Sequence, residues 1–255
     1  MKTTACYIFA ATSALLFVAP SARAATFTLN PSADAFVTAG SGGSLSANNY
    51  GGAGALSVAA PGLPNGEFQS VLRFDLSGAK ASFDSQFGAG QWSIQSITLS
   101  LTATPPNNAI FNSSAAGLFG ISWLQNDSWV EGTGTPSAPT TSGITFSTLP
   151  SFLSAGDESL GTFSFAGGTS GTANYNLSLT SGFDADATAG DLVSFRLSAA
   201  DTAVSYLFDS RSFGTTSARP LLTVVVVPEP ATVALLAVAA PLLLLASRRS
   251  RRSIS

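Results

Sequence analysis

The sequence has no histidine, one cysteine and only 10% charged residues, against roughly 25% in an ordinary globular domain. Without an imidazole, the Ser-His-Asp triad, the Cys-His nucleophile and the H-E-x-x-H zinc site are all excluded. Cys6 alone can neither close an internal disulfide nor build a zinc cluster. Basic residues are scarce too, and six of the 11 lie near the two ends: Lys2, Arg23, Arg248, Arg249, Arg251 and Arg252. The span between, 25–227, keeps five basic residues against 13 acids, a net charge of −8. Such a surface repels phosphate backbones, and no basic patch with interleaved aromatics offsets it, so nucleic acid is not an expected partner.

What is present begins with two addresses. Residues 1–24 read as a secretory signal peptide: Lys2 in a short positive start, the apolar run Cys6 to Val18, then Ala22-Arg23-Ala24 as a small-x-small site, with cleavage expected between Ala24 and Ala25. Cys6 stands at the start of the apolar run and not after it, so it is no lipoprotein anchor, and the exported product would carry no cysteine. At the other end, Ala231 to Ala246 is apolar apart from Thr232. As a helix it would measure about 24 Å, just short of a ~30 Å hydrocarbon core. With the preceding residues or some bilayer thinning it is expected to span, and the arginines after it would stay cytoplasmic.

Pro228-Glu229-Pro230, the apolar helix and the cluster Arg248, Arg249, Arg251 and Arg252 together resemble the PEP-CTERM sorting signal of Gram-negative, exopolysaccharide-producing bacteria. That resemblance covers residues 228–255. It implies processing at Pro-Glu-Pro by a membrane protease, exosortase, after signal peptidase has acted at the other end. The protein would be anchored transiently in the inner membrane and then released or attached at the cell exterior.

The central span, 25–227, reads as one domain. All 24 glycines fall in it, about 12% against a usual ~7%, which suits many turns. No segment has a sustained helical period. Short alternating runs recur instead: TFTLN, DAFVT, ALSVA, GLFGISWL, and further runs around Phe163, Tyr175, Phe195 and Tyr206. In FQSVLRFDLS, Phe68, Leu72, Phe74 and Leu76 share a face and Gln69, Arg73 and Asp75 share the other with Val71, a half-buried antiparallel strand. Trp92 and Ile94 sit on the opposite parity from Ile97, Leu99 and Leu101, which predicts a bulge near Gln95-Ser96. RPLLTVVVV lacks clean alternation and reads as a strand covered on both faces. About ten strands result, the pattern of an all-β antiparallel sandwich or jelly roll, flanked by the N-terminal signal helix and the C-terminal transmembrane helix. Three stretches, Gly40 to Gly54, Thr104 to Ser114 and Gly132 to Ser154, read as long loops.

DAFV, NYGG, LRFDLS, DSWVEGTGTP, GITFSTLP, SYLFDSRS and RPLLTV, in that order, resemble the DNRLRE-type domain. The resemblance implies an extracellular β-sandwich related to carbohydrate-binding modules. FDSRS lacks the acid that follows the arginine in many members.

Chemistry-bearing residues are few. Asp127 with Glu131, Asp157 with Glu158 and Asp184 with Asp186 are the acid pairs that glycoside hydrolysis would need, but each lies in a turn-rich segment where acids are solvated. No catalytic residue is expected, and no cofactor. FDADATAGD offers Asp184, Asp186 and Asp191 either as a turn between strands or as oxygen ligands for a structural calcium; it fails the EF-hand pattern. Sugar binding needs aromatic faces and planar polar groups, for which Tyr50, Trp129 and Arg211 are the candidates, while Trp92 and Trp123 read as core. The expectation is a non-enzymatic cell-surface or matrix protein associating with exopolysaccharide. A structural or adhesive surface protein without a defined ligand is the alternative, and a polysaccharide-active enzyme the third reading.

Overall fold

A computed structural model describes residues 23–106 and 110–229. They contain eleven strands and two α-helices. The strands are β1 (Ala25–Leu29), β2 (Ala33–Thr38), β3 (Ala55–Ala59), β4 (Phe68–Asp75), β5 (Trp92–Thr102), β6 (Gly117–Leu124), β7 (Glu158–Phe165), β8 (Thr172–Leu177), β9 (Leu192–Ala199), β10 (Ser205–Asp209) and β11 (Leu221–Pro228). The helices are α1 (Ser77–Phe87) and α2 (Ser181–Ala189). The two terminal helices read from the sequence, and with them Pro230, Arg248, Arg249, Arg251 and Arg252, lie outside the described residues.

The strands form two antiparallel sheets packed as an all-β sandwich. One has four strands in the order β1-β11-β5-β8; the other has seven, in the order β10-β3-β4-β9-β6-β7 with β2 paired to β4. Between them lies the main core. Ile97, Leu99, Leu101, Leu222 and Val224 enter it from the smaller sheet, and Leu72, Phe74, Phe119, Phe195 and Leu197 from the larger. Each such side chain contributes roughly 2 kcal/mol by leaving water, and with no disulfide available this burial is what opposes chain entropy. The register between β11 and β5 shifts where Val225 faces Ser96 and Val226 faces Ile94, skipping Gln95, so the expected bulge is there.

Two strands exchange the environments that their patterns predict. β4, expected to be half-buried, is central and covered on both faces: Phe68, Leu72 and Phe74 enter the main core, and Val71 enters a second one. That second core joins Ala33, Ala35, Val37, Val71 and Leu124 to Trp129, Ile144 and Leu149. The stretch Gly132 to Ser154, read as a loop, therefore supplies Ile144 and Leu149 to a layer laid over the outer face of the larger sheet. Conversely β11, expected to be covered on both faces, buries Leu222, Val224 and Val226 while Leu221, Thr223, Val225 and Val227 stay partly exposed.

Both helices depart from the reading that no segment is helical. Each buries a single i, i+4 pair, Ala79 with Phe83 in α1 and Phe183 with Ala187 in α2. One such pair amid serine, glycine and aspartate is too short a stripe to register as a period. Lys80 sits in α1 and pairs with Asp84, which also accepts from Trp92 Nε1 at 2.8 Å.

The chain enters and leaves the sandwich at one place. Arg23 and Ala24 are described, and Ala24 is exposed; Ala25 opens β1 opposite Val226 of β11. Beyond it Pro228 faces Trp92, and the Glu229 N–H donates to the Gln91 carbonyl at 2.9 Å.

Candidate functional site

The short motifs that set this sequence apart converge on one buried network at the edge of the second core. Asp34 lies in β2, Asn49 and Gly51 in the loop before β3, Glu131 after Trp129, and Arg211 after β10. Glu131 accepts from Arg211 through Nε at 2.5 Å and through Nη2, so the guanidinium is held in a two-pronged ion pair. The same carboxylate accepts from the Asp34 N–H at 2.9 Å, while the Arg211 N–H donates to Asp34 Oδ2 at 2.6 Å. Burial pushes the Asp34 carboxyl up to about 7, against the pull of the Arg211 N–H and charge and reinforced by the Glu131 charge. Its other oxygen, Oδ1, is buried with no hydrogen-bond partner.

Asn49 ties the loops together. Fully buried, it donates through Nδ2 to the carbonyls of Glu131 (2.7 Å) and Ile144 (2.8 Å) and accepts at Oδ1 from the N–H groups of Gly51 and Gly134, both at 3.1 Å. The backbones run so close that a Cβ on Gly51 would sit 2.0 Å from the Glu131 carbonyl oxygen, and one on Gly134 would sit 1.9 Å from that of Asn49. These glycines stand where one backbone crosses another.

Of the three sugar-contact candidates, two belong to packing. Tyr50 is 1% exposed and stacks on Phe36 at 4.6 Å between ring centroids. Trp129 is also 1% exposed, donates from Nε1 to Ser194 Oγ at 2.9 Å, and lies under the Arg73 guanidinium. Neither ring presents a free face for a sugar to stack on. Arg211 keeps an exposed flank, but its fork is committed to Glu131. Trp92 and Trp123 are buried in the main core, as their positions predict.

The acid pairs are split. Glu131 faces Arg211, whereas Asp127, pushed up by burial and then by the charges of Asp186 and Asp191, lies elsewhere. Asp157 accepts from the Gln125 N–H and the Ser154 N–H, while its neighbour Glu158 accepts from Ser181, Gly182 and Phe183 at the start of α2. The Thr180 hydroxyl beside it and those helix N–H groups hold the Glu158 carboxyl down at about 2. Asp184 and Asp186 stand on α2 rather than in a turn, two residues and so about 200° apart. Asp184 lines a groove with Trp92, Ser181 and Glu229, whereas Asp186 feels Asp191. No group of three or more His, Cys, Asp or Glu able to hold a metal occurs among the described residues.

The outer face of the smaller sheet is a surface of another kind, built by the alternation of its four strands. Thr28, Thr223, Thr98 and Asn176 are register partners across β1, β11, β5 and β8, and Leu221, Ser100 and Asn174 form the next row. Thr98 donates to Asn176 Oδ1 at 2.9 Å, Ser100 to Asn174 Oδ1 at 2.7 Å, and the hydroxyls of Thr102 and Thr172 lie 2.9 Å apart. These rows carry hydroxyls, amides and aliphatic groups and no ionisable side chain. The sequence shows Thr98, Ser100, Asn174 and Asn176 as the polar half of alternating strands; only sheet order brings them side by side with Thr28 and Thr223. The chain matches no protein-family model and no curated protein sequence.

Proposed function

We propose that this is a non-catalytic, exported cell-surface or matrix protein that associates with exopolysaccharide through the outer face of its smaller sheet. That face carries the reading. Sugar hydroxyls pair with side-chain amides and hydroxyls, and an extended, uncharged row offers repeated partners to a repeating polymer. Individually weak contacts then add along the chain by multivalency. The net charge of −8 on 25–227 disfavours acidic glycans and favours neutral ones. The addresses supply the place: signal peptidase acting at Ala24-Ala25, exosortase at Pro228-Glu229-Pro230, and transient anchoring by the C-terminal apolar segment with its arginine cluster. Ala24 is exposed just before β1, and Glu229 follows β11 beside it, so the two addresses join the sandwich close together.

Retention on immobilised neutral exopolysaccharide tests the reading. The parent chain is expected to be retained. Thr98→Asp with Asn176→Asp, which puts two negative charges into one row, is expected to elute at least about tenfold more readily at a temperature where circular dichroism shows both proteins folded. Free elution of the parent from every neutral and acidic glycan tested overturns the proposal.

A further inference from the structure

Strand β8 forms one border of the smaller sheet and pairs on one side only, with β5. The Ala103 N–H donates to the Gly171 carbonyl at 2.9 Å, which fixes the phase of that pairing. Gly171, Ala173, Tyr175 and Leu177 turn their peptide groups to β5, and Thr172, Asn174 and Asn176 turn theirs away. Ser178, next in the outward series, donates its N–H to the Leu160 carbonyl of β7 at 2.9 Å. The outward N–H and C=O groups of Thr172, Asn174 and Asn176 meet no partner among the described residues, and all three side chains are exposed.

Sheet borders are usually guarded against further pairing by a charge, a proline, a bulge or a covering segment. In β8, TANYNL holds no Asp, Glu, Lys, Arg or Pro, and its register with β5 is unbroken. The other borders differ. Along β10, the N–H groups of Thr104 and Ala115 donate to the carbonyls of Leu207 and Ser205. The pairing of β7 shifts register at Ile121/Ser122, and β7 gives its Leu160 carbonyl to Ser178. Phe27 of β1 packs edge-on against Phe83 of α1, and Arg23 lies just before that strand.

We infer that β8 is a docking edge for a second copy of this chain, added antiparallel about a two-fold axis at Asn174. The outward residues are spaced symmetrically about Asn174, so the axis sets Asn174 against its own counterpart and Thr172 against Asn176. About six N–H···O bonds would close the seam. The side chains match as well. Asn176 and Asn174 accept from Thr98 and Ser100 through Oδ1, which leaves both amide NH2 groups to donate across the seam. Charge favours this occupant. Two domains at −8 repel wherever acids face acids, and β8 gives them an uncharged line of approach, whereas a charged partner finds no counter-charge on the strand. The pairing goes beyond the glycan reading and does not rest on it, though it would run the polar rows of two smaller sheets into one surface.

Sedimentation equilibrium of the full-length chain in detergent, in a Cys6→Ser background, tests the pairing. The parent is expected to be a monomer–dimer mixture at micromolar concentration, shifted toward dimer by salt, which screens like charges. Asn174→Asp keeps the acceptor for the Ser100 hydroxyl but sets two carboxylates face to face, and should raise the dimer Kd at least about tenfold at low salt. Asn174→Pro removes an N–H that β5 does not use and should weaken the dimer likewise. Oxidation locates the axis. Directly opposed, hydrogen-bonded residues have Cα atoms about 5.5 Å apart, within disulfide reach, so Asn174→Cys should cross-link to its own counterpart and Asn176→Cys alone should not. A chain that stays monomeric at every concentration overturns the inference, as does a dimer that both Asn174 variants leave intact or one that Asn176→Cys cross-links as readily as Asn174→Cys. A monomer still retained on polysaccharide leaves the glycan reading standing, and a dimer that elutes freely leaves this edge standing.

Discussion

At the scale of single residues, Asp34 and Asn49 concentrate the cost and the gain of the buried network. Asp34 ionises at about 7 in the fold against an ordinary 3.8, so between those values the folded chain holds a proton that the unfolded chain has released. Stability from this group is complete below about pH 4 and is lost as pH rises to about 7, a loss on the order of 4 kcal/mol for three pH units. Asp34→Asn retains an acceptor for the Arg211 N–H and has no proton to lose. Its denaturation midpoint is expected to fall less steeply between pH 4 and 7 than the parent's, the remaining slope coming from Asp127 and the other acids that burial pushes up; parallel curves would refute the assignment. Asn49→Ala strips two carbonyls and two N–H groups of their partner at once, and should cost at least about 3 kcal/mol in urea unfolding. The sequence displayed NYGG, EGTG and SRS as short motifs. It did not display that they meet, because Asn49 and Glu131 are separated by 82 positions along the chain.

At the scale of elements, coverage was harder to read than periodicity. Alternation in β4 and its absence in β11 pointed to the wrong one of the two as doubly covered. The larger sheet receives a second layer from Trp129, Ile144 and Leu149, and a strand's own pattern does not register what a distant segment lays upon it. The polar side of β4 shows the accommodation: Arg73 donates to the carbonyls of Asp127 and Trp129 at 2.8 and 2.9 Å and covers the indole ring. Helix α2 depends on a similar distant partner, since its start is capped by Glu158 of β7 and by no side chain of its own first turn. The Glu158 carboxyl is held near 2, so its stabilisation is present above the ordinary 4.5 and disappears as pH falls through about 2. Glu158→Gln should therefore lower Tm at pH 6, with the gap to the parent closing as pH approaches 2 in thermal melts followed by circular dichroism.

At the scale of the whole molecule, the pairing of Ala25 with Val226 makes the start and the end of the sandwich neighbours. A chain cut to 25–229 loses nothing from either sheet and is expected to keep the full-length Tm of the sandwich to within a few degrees. Ending it at Val224 instead removes the buried Val226 and the ladder partners of Trp92, Ser93, Ile94 and Ser96, and should lower Tm by about 10 °C or more. A differential scan of the two lengths decides it. The sequence alone determined composition-level facts: histidine chemistry, disulfides and zinc clusters were excluded by counting, and the strands were legible because apolar alternation is a local property of the chain. Tertiary structure alone decided which faces are free. It buried Tyr50 and Trp129, separated Asp184 from Asp186 on a helix, and gathered Thr28, Thr223, Thr98 and Asn176 into one row. Burial and adjacency depend on how distant segments pack and on strand order, which no local pattern encodes.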